Sequence, residues 1–105
     1  MRKLDLTDYT VEVLTAEGVE NAPFPFKRNL IEVIFNPELK ISAYDLLKRD
    51  DIARAILASG DDMLIEEGDY QIIKDAVERM RGYQRYAVEL VRRIMDAPKA
   101  EVKEA

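Results

Sequence analysis

Residues 69–97 read DYQIIKDAVERMRGYQRYAVELVRRIMDA, and the way this stretch divides decides the fold. Advancing 100° per residue, Ile72, Ile73, Ala76, Val77, Met80, Tyr83, Ala87, Leu90, Val91, Ile94 and Met95 fall on one broad apolar face. Lys74, Arg81, Arg85 and Arg92 fall on the opposite side, with Glu78, Glu89 and Asp96 beside them. An unbroken helix over the stretch would span about 43 Å, whereas a compact domain of this size is about 34 Å across. Such a helix would overhang the domain or pair with a second copy. Gly82 would point to solvent, where packing asks for no glycine, and it costs about 1 kcal/mol in a helix interior. The expectation is therefore a break near Gly82, giving two helices of about three turns that fold back and share the core. Asp69 is a suitable cap for the first. Pro98 ends the last, leaving residues 98–105 as a frayed charged tail.

Working back toward the amino terminus, DDMLIEE (61–67) has a three-residue apolar run between acidic pairs, too short for a helix. It predicts a third short strand beside an amino-terminal hairpin, with Gly68 turning the chain. Ser42-Ala43-Tyr44-Asp45 has the form of a capping box. From there to Ser59, Leu46, Leu47, Ile52, Ala53, Ile56 and Leu57 recur at helical positions. Asp50-Asp51 interrupts the pattern, so the segment reads as one kinked helix or two short ones. Gly60 is placed as the left-handed residue that closes it. Asn29-Leu30-Ile31-Glu32 is a further capping box for a helix of about two turns that Asn36-Pro37 stops. The β-rich content of LIEVIF also permits a strand there.

DYTVEVLT (8–15) alternates, with Tyr9, Val11 and Val13 on one face, and predicts a strand. AEGVEN reads as the turn and APFPFK as a short edge strand or merely extended chain, since proline lacks the amide donor. The fold class that follows is α+β, with a small antiparallel sheet packed against four to five helices and a helical carboxy-terminal part. One globular domain is expected over residues 1–97.

Composition narrows the function. The chain has 105 residues, 48% hydrophobic and 35% charged, enough apolar surface for a core and too much for a disordered chain. Its 16 Lys and Arg against 21 Asp and Glu give a net charge of -5, with no overall attraction for polyanions. There is no cysteine, which excludes disulfides, zinc-thiolate sites and thiol nucleophiles, and no histidine, the commonest metal ligand and neutral-pH proton carrier. Asp5 and Asp8 interrupt the opening MRKLDLTDYTVEV where a secretory signal needs an unbroken apolar segment. No window approaches the roughly 20 apolar residues of a membrane span. A cytoplasmic protein without membrane association is expected.

Two charged regions are candidate sites. Arg79, Arg81, Arg85, Arg92 and Arg93 cluster with Tyr83 and Tyr86 among them, a pattern that can pair with phosphates and stack on bases. However, Asp75 with Arg79, Glu78 with Arg81, and Glu89 with Arg92 and Arg93 lie at helical pair spacings, which reads as a solvated face. Asp61, Asp62, Glu66, Glu67 and Asp69 form an acidic pole whose spacing matches no calcium loop. The sequence has no Gly-rich phosphate loop, nucleophile elbow or metal-binding repeat, so no catalytic residue, cofactor or metal is expected.

DYTVEV, ELKISAYDLLKRDDIARAI, DYQIIKDAVE and RGYQRYAVELVRRIMDA, in this order, resemble small proteins encoded in phage and prophage gene clusters. That resemblance implies an accessory or assembly role through protein contacts and supplies no catalytic residues. The expected function is accordingly a non-enzymatic, self-associating interaction protein, using Tyr83, Tyr86, Leu90 and Ile94 on the last helix as contact surface. The competing reading is a nucleic-acid-associated regulator using the five arginines.

Overall fold

In the computed structural model, which describes residues 1–100, the chain runs β1 (Arg2–Asp5), β2 (Tyr9–Thr15), β3 (Gly18–Phe24), α1 (Phe26–Ile34), α2 (Ala43–Ala58), β4 (Asp62–Ile65), α3 (Glu67–Arg79) and α4 (Val88–Met95). Short 3-10 turns occupy Pro37–Leu39 and Arg85–Ala87. The class is α+β, as the sequence pattern predicts. The strands form two antiparallel pairs, β2 with β3 and β1 with β4.

The hairpin follows its alternation. Tyr9 pairs with Phe24 and Val11 with Ala22, and the Tyr9 and Phe24 rings stack at 4.6 Å. The reversal is tighter than AEGVEN suggests. Thr15 pairs directly with Gly18, whose φ of +127° disfavours a side chain, so only Ala16 and Glu17 form the bend.

The short strand at Asp62–Ile65 exists, but its partner is β1 and not the hairpin. β1 escapes sequence reading because RKLD carries only one apolar residue. Leu4 and Leu6 nevertheless share one face and both are buried. The register sets Leu4 against Met63 and Arg2 against Ile65, and Leu6 N–H extends the pairing to the Asp61 carbonyl at 2.8 Å. The other edge of β1 is covered too. Lys3 N–H donates to the Pro98 carbonyl at 3.0 Å, and Ala100 N–H to the Met1 carbonyl at 2.8 Å. Residues 98–100 are thus a paired segment rather than part of a frayed tail, because β1 offers them an open ladder. The remainder of that tail, 101–105, lies outside the described residues.

Helix boundaries shift for similar long-range reasons. α1 starts at Phe26, three residues before the predicted cap Asn29, because the Asp8 carboxylate accepts the Phe26 N–H at 2.9 Å from across the chain. Asn29 instead donates to the Pro25 carbonyl. Asn36-Pro37 does stop the helix, with the Asn36 side chain accepting from Glu38 N–H. α2 begins as expected, Ser42 Oγ accepting from Asp45 N–H at 3.2 Å. It runs unbroken through Asp50-Asp51, where Asp50 pairs with Arg54 at 2.9 Å and Ile52, Ala53 and Ile56 hold the inner face in the core. Ser59 closes α2, and Gly60 is not left-handed. α3 takes in Gly68 and Asp69, with Glu66 in the cap position.

Phe26, Leu30, Ile34, Ile52, Ile56, Tyr70, Ile73, Val77, Leu90 and Ile94 form one apolar core with Leu4 and Leu6. None of the helices is long and apolar enough to cross a membrane among the described residues.

Candidate interaction surfaces

The carboxy-terminal stretch breaks near Gly82, as its length and glycine predict. Gly82 has φ +83°, α3 has already ended at Arg79, and α4 begins at Val88 after the 3-10 turn. The apolar face is thereby folded onto the protein's own core. Leu90 and Ile94 are buried, so these two predicted contact residues are not available to a partner. Tyr83 is half-buried and its hydroxyl donates to the Val77 carbonyl at 2.8 Å, with burial pushing its phenol pKa up. Of the four, Tyr86 alone stays exposed.

Tyr9 organises this junction and carries no sequence signal for it. Its hydroxyl donates to the Tyr86 carbonyl at 2.9 Å and accepts from Leu90 N–H at 3.2 Å. It therefore supplies the cap that the α4 amino terminus lacks. Desolvation raises its pKa, and the phenol stays protonated and able to serve both bonds.

The arginine cluster divides. Arg93 donates to the Thr7 carbonyl at 2.6 Å and to Glu89 at 3.1 Å, and its guanidinium lies 4.9 Å from the Phe26 ring centroid and 5.1 Å from that of Tyr9. It clamps α4 to the amino-terminal segment. Arg79 pairs with Asp75 at 3.4 Å and donates to the Leu39 carbonyl at 3.1 Å. Arg81, Arg85 and Arg92 are exposed and form no ion pair among the described residues, so the predicted Glu78–Arg81 and Glu89–Arg92 pairs are not made. The five positions thus do not act as one surface.

The acidic pole is dispersed among cations. Asp62 lies 3.8 Å from Lys3, Glu67 2.9 Å from Arg2, and Asp69 3.1 Å from Lys48. No group of three or more metal-ligating side chains converges among the described residues.

The surface that sequence reading missed is the outer side of α2. The helix carries apolar residues all round, so periodicity does not tell inner from outer side. Arg49, Ile52, Ala53 and Ile56 face the core. On the opposite side Tyr44 is 79% exposed and Leu47 68%, and Leu46 and Leu57, at the border of the core-facing strip, are exposed as well. These four are a large share of the exposed bulky apolar side chains, gathered on one element. Tyr44, Leu47, Asp51, Arg54, Ala55 and Ala58 fall within about 100° of arc on this outer side.

The inner side holds a buried charge. Arg49 is 5% exposed, and its Nη1 donates to the Ile34 carbonyl at 2.9 Å, closing the last turn of α1. The negative end of the α1 dipole offsets part of its charge. Beside it lies a groove of about 320 Å³ between α2 and α3, lined by Asp45, Lys48, Arg49, Gln71, Ile72, Asp75 and Arg79.

Comparison with family models, curated proteins and solved structures yields no match.

Proposed function

We propose that the chain is a non-enzymatic interaction protein of the cytoplasm that associates with a second copy of itself through the outer side of α2. The observation that carries this reading is the exposure of Tyr44 and Leu47 on a helix whose inner side is already packed. An antiparallel pairing about a two-fold axis near residues 52 and 53 is self-complementary. It places Asp51 against the partner's Arg54 and Leu47 against the small Ala58 of the partner subunit. A helix of this length covers less than the roughly 800 Å² per partner of a standard interface, so the dimer is weak and concentration-dependent. An accessory or assembly role, of the kind the phage-protein resemblance implies, needs such reversible contacts and no catalytic residues.

Light scattering across a concentration series tests this. The mass is expected to rise from 12.1 kDa toward twice that value, and Leu47→Asp to hold it at the monomer. A wild-type mass that stays monomeric at the highest concentration overturns the reading. The competing nucleic-acid reading draws on Arg81, Arg85 and Arg92, which are exposed without ion pairs among the described residues. It requires steeply salt-dependent binding to DNA or RNA that vanishes when all three become Glu.

A further inference from the structure

Arg49 is the one described residue with a buried side-chain polar atom lacking a hydrogen-bond partner: Nε. No carboxylate lies within ion-pair distance of it among the described residues, although the side chain is almost wholly withdrawn from water. Burying a guanidinium without a counter-ion is costly, and the partial charge at the α1 carboxy terminus balances only about half of it. Its neighbours do not supply the rest. Lys48 and Arg79 are cations already engaged with Asp69 and Asp75, and Asp45, one helical turn before Arg49, lines the groove without reaching ion-pair distance.

We propose that the α2–α3 groove is a binding site for a single carboxylate, received by Arg49 with Lys48 and Arg79 at its rim. With Lys48 paired to Asp69 and Arg79 to Asp75, Arg49 is the one cation of the lining without a carboxylate at ion-pair distance among the described residues, a single positive charge that a monoanion cancels and a phosphate dianion overshoots. A planar carboxylate also matches the fork of guanidinium donors. An acidic side chain on a docked protein and a free small carboxylate present the same group. The site stands on the Arg49 Nε, which lacks a hydrogen-bond partner, and on the missing counter-ion, and does not depend on self-association.

The Arg49 Nε–Hε resonance is a direct reporter, read by NMR on the full chain at constant ionic strength. Titration with acetate is expected to move it saturably, with chloride producing no saturable shift. Asp45→Asn removes a negative charge that repels an anion from the groove lining and is expected to tighten acetate binding about threefold; this variant leaves the α1-capping bond of Arg49 in place. A capped Ala-Glu-Ala tripeptide that binds at least tenfold more tightly than acetate assigns the site to a protein side chain, and equal affinity assigns it to a free carboxylate. The proposal is overturned if acetate moves the resonance no more than chloride does, or if inorganic phosphate binds more tightly than acetate.

Discussion

At the scale of single residues, Arg2 shows how one side chain can tie distant segments together. Its guanidinium donates to both Glu67 oxygens, at 2.9 and 3.1 Å, and to the Ala97 carbonyl at 2.8 Å, while lying 4.7 Å from the Tyr70 ring centroid. Hydrogen bonds from Arg2 and then Gln71 hold the Glu67 carboxyl down to about 2 from an ordinary value of 4.5. Because the folded pKa is the lower one, the contribution to stability is fully present above about 4.5 and is lost as the pH falls toward 2. Glu67→Gln is therefore expected to lower the urea midpoint at pH 7, with the gap from wild type closing between pH 4.5 and 2. The pair is partly exposed, so the gap should be small and shrink with added salt. An undiminished gap at pH 2 would show that Glu67 acts through packing rather than charge.

At the scale of elements, glycine identity alone does not tell a helix stop from a neutral position. Gly82 at φ +83° and Gly60, outside the left-handed region, both follow helices, and neither would bring an added Cβ within 4 Å of another group. Their substitutions should therefore differ in sign. Gly82→Ala is expected to destabilise by about 1–2 kcal/mol from backbone strain alone. Gly60→Ala should stabilise by about 0.4–1 kcal/mol by restricting the unfolded chain. Urea unfolding of the two variants settles it, and the same sign for both would refute this account of the break. What is legible in the sequence is the chemistry an element carries within itself: the Ser42 cap, the Asn36-Pro37 stop, the alternation of Tyr9, Val11 and Val13, and the glycine at which the last third divides. What is not legible is supplied from far along the chain. Asp8 caps a helix 18 residues later, Tyr9 caps another 81 residues away, and β1 finds β4 across more than fifty residues. The exposure of apolar side chains is set by the same long-range packing. Folding at Gly82 buries Leu90 and Ile94, whereas α2, apolar on both sides, keeps Tyr44 and Leu47 outside.

At the scale of the molecule, the chain measures 54 × 36 × 22 Å, long and flat, with a radius of gyration of 14.9 Å against about 13 Å for a compact chain of about this length. Such a shape leaves elements with few neighbours. The far end of the hairpin is one of them, where Leu14 is 83% exposed and Val19 is also exposed. Closure of the amino- and carboxy-terminal segments on each other therefore matters more than in a spherical domain. β1 lies between β4 and residues 98–100, so it is the inner strand of this small sheet, although the Arg2–Lys99 contact is only a bridge. Ending the chain after Ala97 removes the Lys3–Pro98 and Ala100–Met1 backbone bonds and leaves β1 with a bare edge. At about 0.5–1.5 kcal/mol net per bond, the loss should be about 1–3 kcal/mol. For a domain near 100 residues that corresponds to a fall in Tm of at least about 4 °C. Lys99→Ala keeps both backbone bonds and should melt close to wild type, which separates the ladder from the side chain. A truncated chain that melts with the full-length protein would mean that β1 is held by β4 and the Leu4 and Leu6 side chains alone.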